Sequence, residues 1–278
     1  MYSSLKNKTV LVTGSGKKSG IGYAIVKKFA SCGANIIVSD LGAPQSKDNP
    51  IKTGTTAEMQ EAAEGLRKEF SVKALAIDCD VIDNGSIAAA AATIKEHFGQ
   101  LDILVNNAGA TFGTPNTAHA YDEAAWMKTI DVNLHSVFKV TRGMLPLMME
   151  KGGAIVNTAS RAGKVPPFFN GAYAVAKAGV IMLTKVMAKE LAGNGIRVNA
   201  VCPGQIMTDL EKWRFELEAE FLNSTYDERV EEMCKSIALN RIGEPDEVAK
   251  LVAYLASDEA SYMTGQAINV TGGQLMEL

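Results

Sequence analysis

The chain has 278 residues, of which 47% are hydrophobic and 21% are charged, and its formal net charge at pH 7 is −3. This length and composition are enough to bury the core of one large globular domain. The slightly acidic balance argues against a nucleic-acid partner and against an anionic-membrane partner, because both bind basic surfaces. No segment contains the roughly 20 consecutive apolar residues of a membrane span.

The N-terminal segment MYSSLKNKTVLVTG lacks the apolar stretch of a signal peptide. Cys32, Cys79, Cys202 and Cys234 are scattered without a C-x-x-C pair, which indicates neither a zinc site nor a disulfide framework. No cluster of His, Asp and Glu has metal-ligand spacing, so no metal is expected. We predict a cytoplasmic protein from these features.

Seven short apolar runs rich in β-branched residues recur along the chain, and helical patterns separate them. The runs are continuous rather than alternating in hydrophobicity, which is typical of strands buried on both faces. The alternation predicts a single α/β domain over residues 1–278, with a Rossmann-type doubly wound parallel sheet of about seven strands and helices on both faces. The predicted strands are 9–13, 35–39, 74–77, 102–106, 154–158, 197–201 and 267–270.

Two helices have recognisable start signals. Thr55 and Glu58 form a capping-box signature for a helix that runs to Phe70. Pro245 fits the first turn of a later helix whose apolar residues share one face. Both helices fit the alternating plan.

Two segments are longer than this plan requires: 41–56, after the second predicted strand, and 209–238, before the last helix–strand unit. We interpret 209–238 as a lid inserted over the substrate, with its first apolar stripe facing inward, although packing onto the core also explains both apolar stripes. Its two apolar stripes at helical spacing are Leu210, Trp213, Leu217 and Phe221, and then Val230, Met233, Cys234 and Ile237.

The stretch VTGSGKKSGIG (12–22) lies between the first predicted strand and a helix predicted over 23–32. Gly14 permits a tight turn, Gly20 lets the backbone approach a pyrophosphate, and Gly22 lets the helix pack close to the sheet. The backbone of Ser15 and Ile21 completes the predicted loop. Since a helix N-terminus offers unpaired N–H groups and a positive dipole, the pattern predicts a dinucleotide site.

The choice between NAD and NADP depends on three charged residues. Asp40 ends the second predicted strand, where a carboxylate binds the ribose diol and repels a 2′-phosphate. Lys17 and Lys18 favour the opposite choice, because either can pair with that phosphate. We interpret the two lysines as part of a solvated loop and expect NAD.

A second group of polar residues follows the fifth predicted strand. Ser160 lies at its carboxyl end, and Tyr173 and Lys177 are four residues apart on the next predicted helix. A neighbouring ammonium favours the phenolate form of a tyrosine, and a serine can hydrogen-bond a reacting oxygen. Taken alone, a tyrosine four residues before a lysine is usually just a helix surface.

With these motifs together, the chain resembles a short-chain dehydrogenase/reductase over nearly its whole length. The resemblance implies a catalytic tetrad of Asn133, Ser160, Tyr173 and Lys177. Tyr173 would then be the general acid/base, Ser160 would orient the carbonyl or hydroxyl, and Asn133 would position a water. Lys177 would lower the pKa of the tyrosine and hold the nicotinamide ribose. The matching motifs are TG-x5-GIG at 13–22, DCDV at 78–81, NNAG at 106–109, DVN at 131–133, Y-x-x-x-K at 173–177 and PG at 203–204.

The resemblance also implies further cofactor contacts and a homotetramer. In the family, the long helices (here 122–149 and 171–192) pair across one interface and the C-terminal segment (266–278) across another. The residues expected at the adenine, the cofactor channel and the nicotinamide carboxamide are Asp80, Val81, Asn107, Ala108, Gly109, Pro203, Gly204, Ile206 and Thr208. Some of the asparagines in NNAG and DVN are also expected to satisfy backbone groups between strands.

One departure concerns the glycine loop. Five residues separate Gly14 from Gly20, whereas the main branch of the family has three. Similar spacing occurs in divergent enoyl reductases, which separate the tyrosine and lysine more widely. Because Tyr173 and Lys177 keep the four-residue spacing, we predict carbonyl/alcohol chemistry rather than C=C reduction.

The predicted function is hydride transfer between NAD(H) and a small secondary alcohol or polyol, or the matching ketone. Two alternatives stay open: an NADP-dependent 3-oxoacyl carrier-protein reductase, which Asp40 and the long 209–238 segment disfavour, and a nucleotide-sensing module without turnover. Three cations in the cleft are compatible with an anionic substrate group, although each is also explained as a solvated rim charge. The residues expected around the substrate are Arg161, Lys164, Phe168, Phe169, Trp213 and Arg214.

Overall fold

The computed structural model describes residues 2–43 and 52–277, and in it the seven predicted strands form one parallel sheet. The strand order is β3-β2-β1-β4-β5-β6-β7, which confirms the doubly wound fold. Each predicted strand lies within two residues of its limits in the structure. The strands are β1 (Thr9–Thr13), β2 (Asn35–Asp40), β3 (Ala74–Asp78), β4 (Ile103–Asn106), β5 (Gly153–Thr158), β6 (Ile196–Pro203) and β7 (Ala267–Val270).

The α-helices cover both faces of this sheet. The helix predicted to run to Phe70 begins after Thr55 with both reciprocal bonds of the capping box, and Pro245 is the first residue of its helix. The long 41–56 connection is described only outside 44–51. The helices are α1 (Ile21–Ser31), α2 (Thr56–Phe70), α3 (Asn84–Phe98), α4 (Glu123–Ile130), α5 (Ser136–Met144), α6 (Gly171–Leu191), α7 (Asp209–Leu222), α8 (Tyr226–Lys235) and α9 (Pro245–Ala256).

The core is divided by the sheet into two apolar layers. Val10 and Val12 point to the layer that contains Phe29 of α1, whereas Leu11 points to the opposite layer. Successive side chains of a strand alternate between faces, and here both faces are buried. This explains the continuous apolar runs in the sequence.

Helix α6 is long and apolar enough to cross a membrane by length and composition alone, over Gly171–Asn194. In the structure it packs against β6 and α4, and its buried residues include Val180 and Thr184. Its apolar composition therefore fits a core helix beside the sheet.

Helices α7 and α8 lie between β6 and α9, in the region predicted as the lid. The apolar stripe of α8 packs as predicted: Val230, Met233 and Cys234 contact the buried Phe215 of α7 and its neighbours. The stripe predicted to face inward on α7 fails at its last residue, because Phe221 is 70% exposed, whereas Leu210, Trp213 and Leu217 are half-buried. The buried face is instead Glu211, Phe215 and Ala219, since the Phe215 ring packs edge-on against Tyr226 with the ring centres 6.0 Å apart.

Candidate active site

The turn between β1 and α1 is shaped by its glycines. Gly14 has φ +64°, a backbone conformation that L side chains rarely adopt. A Cβ on Gly22 would lie 2.2 Å from the carbonyl oxygen of Gly14, closer than any real contact. The turn therefore brings the start of α1 directly against the end of β1, as the glycine pattern predicts.

The first turn of α1 fits a pyrophosphate group. Gly20 is the N-cap residue and provides no side-chain hydrogen bond, and the turn, which begins at Ile21, contains no acidic residue. Its N–H groups are therefore not satisfied by a capping side chain, and they provide the positive end of the helix dipole.

Ser15 does not fit the predicted role at the phosphates. Its N–H donates to the Ser39 carbonyl at 2.9 Å, and its hydroxyl donates to the Val12 carbonyl at 2.8 Å. The Ser39 N–H in turn donates to the Ser15 hydroxyl at 3.0 Å. The fully buried Ser15 ties β1 to β2, so its prediction as a cofactor ligand is corrected.

Asp40 lies at the carboxyl end of β2, beside the glycine turn. Its carboxylate accepts hydrogen bonds from the N–H of Gly16 at 3.0 Å and of Leu41 at 2.9 Å. Burial raises the pKa of Asp40, and these backbone donors oppose the shift. The carboxyl group is half-buried and stands where the edge of the crevice is expected.

The two lysines of the loop are paired with acidic residues of α2. Lys17 lies 2.6 Å from Glu58 and Lys18 lies 2.7 Å from Glu61. The hydrogen bond from Lys17 lowers the pKa of Glu58 to about 2. The lysines are therefore neutralised by α2 rather than left as isolated charges.

The residues after β3 and β4 hold the strand ends together. Asn107 donates from Nδ2 to the carbonyls of Thr13 and Gly14, at 3.1 and 3.0 Å, and Ala108 N–H donates to the Thr13 hydroxyl at 3.1 Å. The Asp80 carboxylate accepts a hydrogen bond from the Ile82 N–H at 3.0 Å. The side chain of the neighbouring Val81 is buried in the core. These residues lie at the predicted edge, and the bonds of Asn107 confirm its structural role.

Ser160, Tyr173 and Lys177 come together at the carboxyl end of β5. The Ser160 hydroxyl accepts from the Ala162 N–H at 3.1 Å and also lowers the pKa of Tyr173 by hydrogen bonding. Burial has the larger effect and raises the pKa of Tyr173 above its usual value.

Lys177 is buried beneath the tyrosine ring. Its Nζ donates to the Thr158 carbonyl at 2.8 Å and lies 5.5 Å from the centre of the Tyr173 ring. Burial lowers the pKa of Lys177 to about 8. The implied lowering of the tyrosine pKa by this lysine does not appear in this structure, where burial raises the pKa of Tyr173 and the hydrogen bond from Ser160 is what lowers it.

Asn133 lies in a single π-helical turn, Asp131–His135, between α4 and α5. Its Nδ2 donates to the carbonyls of Ala110 and Thr129, but its buried Oδ1 has no hydrogen-bond partner among the described residues. A Cβ on Gly109 would lie 2.8 Å from this oxygen, so Gly109 keeps the space beside it open. The π-turn is common at functional sites, and the sequence pattern did not predict it.

The segment after β6 runs along the same edge. The N–H of Gly204 donates to the Val270 carbonyl at 2.9 Å, which places the Pro203–Gly204 turn beside β7. Ile206 is buried, and the Thr208 hydroxyl accepts from the Glu211 N–H at 3.4 Å as the N-cap of α7. The segment thus connects the sheet edge to the predicted lid.

The predicted substrate residues separate into two groups. Lys164 donates to the Ala267 carbonyl at 2.8 Å and pairs with Glu277 at 2.5 Å, on the side of β7. Phe168 is 92% exposed and does not form the predicted wall, because its loop presents the ring to solvent; Phe169 is also exposed.

Arg161 and Arg214 lie close enough for the charge of one to lower the pKa of the other, although burial is the main cause of the lowered pKa of Arg161. Arg214 is paired with Glu211 at 2.7 Å and with Glu218 at 3.4 Å. Trp213, which directly precedes Arg214 on α7, is half-buried.

Glu211 was not singled out by the sequence. It is 9% exposed, and burial raises the pKa of its carboxyl group to about 7. It is also near enough to Tyr173 to raise the pKa of that hydroxyl by charge repulsion. Its sequence signal, an acid three residues after Thr208, is that of a helix cap and therefore points away from the site.

A family model described as enoyl-(acyl carrier protein) reductase matches residues 14–274. FabG, a 3-oxoacyl-[acyl-carrier-protein] reductase of Staphylococcus epidermidis, is 37% identical to the chain over 271 residues, which cover 97% of this chain and 100% of FabG.

Solved structures resemble the chain over almost all of its length. L-sorbose reductase from Gluconobacter frateurii, complexed with NADPH and L-sorbose, has a TM-score of 0.88, 29% identity and full coverage of both chains. NAD+-bound xylitol dehydrogenase has a TM-score of 0.86 and 28% identity, and the match covers 97% of this chain and 99% of that one.

Proposed function

We propose, from the premise that this chain belongs to the short-chain dehydrogenase/reductase family of oxidoreductases, that it transfers a hydride between NAD(H) and a small secondary alcohol or polyol, or the matching ketone. The observation that carries the proposal is the arrangement at the end of β5. The Ser160 hydroxyl lowers the pKa of Tyr173, and Nζ of the buried Lys177 lies 5.5 Å from the centre of the tyrosine ring.

In the proposed reaction, the hydride and the proton of the substrate are handled by different groups. When bound, the nicotinamide supplies the hydride acceptor. Ser160 Oγ holds the substrate oxygen while Tyr173 Oη removes the hydroxyl proton, or returns it in the direction of reduction. The unpartnered Oδ1 of Asn133 fits a water that passes the proton outward, and Lys177 stabilises the phenolate as it forms.

Residues of this chain fit the proposed dinucleotide. The uncapped N–H groups in the first turn of α1 fit its pyrophosphate. The preference for NAD rests on Asp40, whose carboxylate lies beside the glycine turn. Lys17 and Lys18 offer little to a 2′-phosphate because Glu58 and Glu61 already pair with them. Among the similar structures, xylitol dehydrogenase holds NAD+ and L-sorbose reductase holds NADPH, so the preference requires measurement.

Two other reactions have support from the comparisons. The similarity to FabG favours reduction of a 3-oxoacyl thioester, and the description of the family model favours reduction of a C=C bond. The four-residue spacing of Tyr173 and Lys177 and the adjacent Ser160 support carbonyl chemistry over the latter.

A substrate panel tests the proposal directly. Absorbance of the reduced nicotinamide is followed with NAD and NADP against sugar alcohols, simple secondary alcohols, an acetoacetyl thioester and a crotonyl thioester. We expect the highest kcat/KM with NAD and an alcohol or polyol. A higher kcat/KM for either thioester would replace the proposal, and no turnover of any compound would favour the nucleotide-sensing alternative.

We also propose that α7 and α8 cover the substrate as a lid. Thr208 anchors α7 at the carboxyl edge of the sheet, and the charge of Glu211 reaches Tyr173. Replacement of the half-buried Trp213 by Ala should raise KM for the alcohol. Unchanged kinetics would rule out contact between this part of α7 and the substrate.

The surfaces of helices α4, α5 and α6 support the proposed homotetramer. Exposed apolar side chains lie on α4, α5 and α6, where the family's helices pair. We expect light scattering at micromolar concentration to give four times the chain mass, whereas a monomer mass would reject the assembly. The exposed residues are Met127, Phe138, Val175, Met182 and Val186.

A further inference from the structure

The lid helix α7 contains a carboxylate that the proposed mechanism does not use. Glu211 is nine-tenths buried, and its Oε1 accepts a hydrogen bond from Arg214 Nη2 at 2.7 Å. Its Oε2 accepts no hydrogen bond from the residues that the structure describes. This oxygen is not among the fully buried polar atoms, so it is open to solvent and can accept a hydrogen bond from a group that enters the crevice.

The orientation of Glu211 departs from that of two comparable residues. Thr55–Glu58 and Thr225–Glu228 have the same Thr-x-x-Glu spacing, and in both the glutamate reaches back to the N–H of its threonine, at 2.8 Å. Glu211 leaves its threonine and turns to Arg214 instead. Its carboxylate is therefore directed away from the helix cap.

Glu211 has the reacting group as a neighbour. Its charge raises the pKa of the Tyr173 hydroxyl, and it also raises the pKa of Arg161, which directly follows Ser160 in the chain. The half-buried Arg161 side chain makes no hydrogen bond or ion pair within 2–43 and 52–277. Arg161 follows β5, and Glu211 lies in the first turn of α7, which follows β6, the strand paired with β5. A hydrogen-bond acceptor and a set of hydrogen-bond donors thus lie at the same carboxyl edge of the sheet as Ser160.

Most of the positive charge at this position is already neutralised, so little attraction for an anionic substrate group remains. Arg214 is already paired with Glu211 and Glu218, and Lys164 is paired with Glu277, so Arg161 is the one predicted substrate cation without an ion pair among the described residues. A substrate carboxylate at this position would also meet the charge of Glu211. A hydroxyl group, which both donates and accepts, fits the pair Glu211–Arg161.

We infer that Glu211, together with Arg161, is the specificity-determining site for a second hydroxyl group of a neutral polyhydroxy substrate, next to the carbon that exchanges the hydride. The inference rests on the proposed function and narrows its substrate class. A hydroxyl of the polyol donates to Glu211 Oε2 and accepts from the guanidinium of Arg161. A simple secondary alcohol has no group to place there.

The test compares two five-carbon substrates, xylitol and 2-pentanol, with wild type and the nearly isosteric variant Glu211→Gln. The measured quantity is the ratio of kcat/KM for xylitol to kcat/KM for 2-pentanol. Effects of Glu211 on Tyr173 or on cofactor binding act on both substrates and cancel in this ratio. We expect the ratio to fall about tenfold or more, because hydrogen bonds to charged groups are among the stronger ones.

Two further variants make the result specific. Glu218→Gln removes the other carboxylate that binds Arg214 and should leave the ratio near that of wild type. Arg161→Gln should lower the ratio in the same direction as Glu211→Gln, and it provides the test if Glu211→Gln does not fold. Thermal unfolding and NADH fluorescence verify that each variant is folded and binds cofactor.

The outcomes separate the inference from the function on which it rests. A lower ratio in Glu211→Gln and Arg161→Gln, with Glu218→Gln unchanged, supports the inference. An unchanged ratio, or an equal fall in all three variants, overturns it while alcohol oxidation stands. If wild type oxidises neither compound with NAD or NADP, the proposed function fails and the inference fails with it.

Discussion

The glycine turn between β1 and α1 and the proposed lid of α7 and α8 both follow the carboxyl ends of strands, but different forces hold them. The turn is held by backbone: Gly14 and Gly22 touch where no side chain fits, and Ser15 joins two strands. The lid is held by ion pairs such as Arg214–Glu211 and Arg229–Glu218, around the small apolar cluster of Phe215. If the proposed function holds, a cofactor common to many enzymes would meet rigid backbone, whereas the substrate would meet adjustable side chains.

The largest expected effect comes from breaking the backbone contact in the turn. Gly22→Ala places a Cβ 2.2 Å from the Gly14 carbonyl, so we expect a loss of at least about 3 kcal/mol in unfolding free energy or loss of NADH binding. Gly65→Ala is the matched control, because its Cβ meets nothing within 4 Å in helix α2. That variant should gain about 0.5–1 kcal/mol, measured by denaturant unfolding. Equal stability of the two variants would refute the close contact.

The next effect concerns Tyr173, the proposed general acid/base. Tyr173→Phe removes the hydroxyl that exchanges the proton and keeps the ring, so kcat should fall about 10²-fold or more. NADH binding, followed by fluorescence, should be retained. Tyr226→Phe removes a hydroxyl from the lid and should retain most of the turnover. Near-normal turnover of Tyr173→Phe would disprove the proposed mechanism.

Lys177 predicts a pH dependence of stability. Burial lowers its pKa from 10.5 to about 8 in the folded chain, so between these values the unfolded chain binds more protons and stability rises with pH. The unfolding free energy of wild type should therefore rise by roughly 2 kcal/mol relative to Lys177→Met between pH 8 and pH 10. Lys189→Met, at an exposed position of α6, serves as the control and should show a flat difference. A flat difference for Lys177→Met as well would mean that the ammonium is solvated.

Replacement of Asp40, which lies beside the glycine turn, tests the preference for NAD over NADP. Asp40→Ala removes the carboxylate that repels a 2′-phosphate, so the ratio of kcat/KM for NAD to that for NADP should fall about tenfold. Glu58→Gln, which releases Lys17, should lower the same ratio by a smaller factor. A wild-type preference for NADP would contradict the assignment of Asp40.

The smallest effects are expected from single lid and rim cations. Arg214 and Lys164 are already paired, so their replacement by Gln should change KM for neutral and anionic alcohols in parallel, by less than about fivefold. KM values for xylitol and for a hydroxy acid of equal length provide the measurement. A selective loss for the acid would restore the prediction of an anionic substrate and weaken the role of Glu211.

Much of the site could be predicted because its residues are required by backbone geometry or by a fixed spacing. Gly22, Asp40 and the Tyr173–Lys177 pair follow from strand ends and helical periodicity, and all lie at the predicted edge. The prediction of Ser15 as a cofactor ligand was wrong, because the sequence does not show that its polar groups are hydrogen-bonded to β2. Phe221 was misplaced because helical spacing defines a stripe but not which stripe is buried.

The sequence by itself determined the sheet and the sharp glycine turn after β1, because these depend on local periodicity and on the steric freedom of glycine. The four tetrad positions are implied by the resemblance of the motifs to the family. Only the tertiary structure decided how the charges are distributed. Glu211 has the signature of a helix cap, yet it turns to Arg214 and Tyr173 because packing of Phe215 directs that face of α7 inward. Lys17 and Lys164 are paired with residues 41 and 113 positions away, and such long-range pairing has no periodicity that a sequence can show.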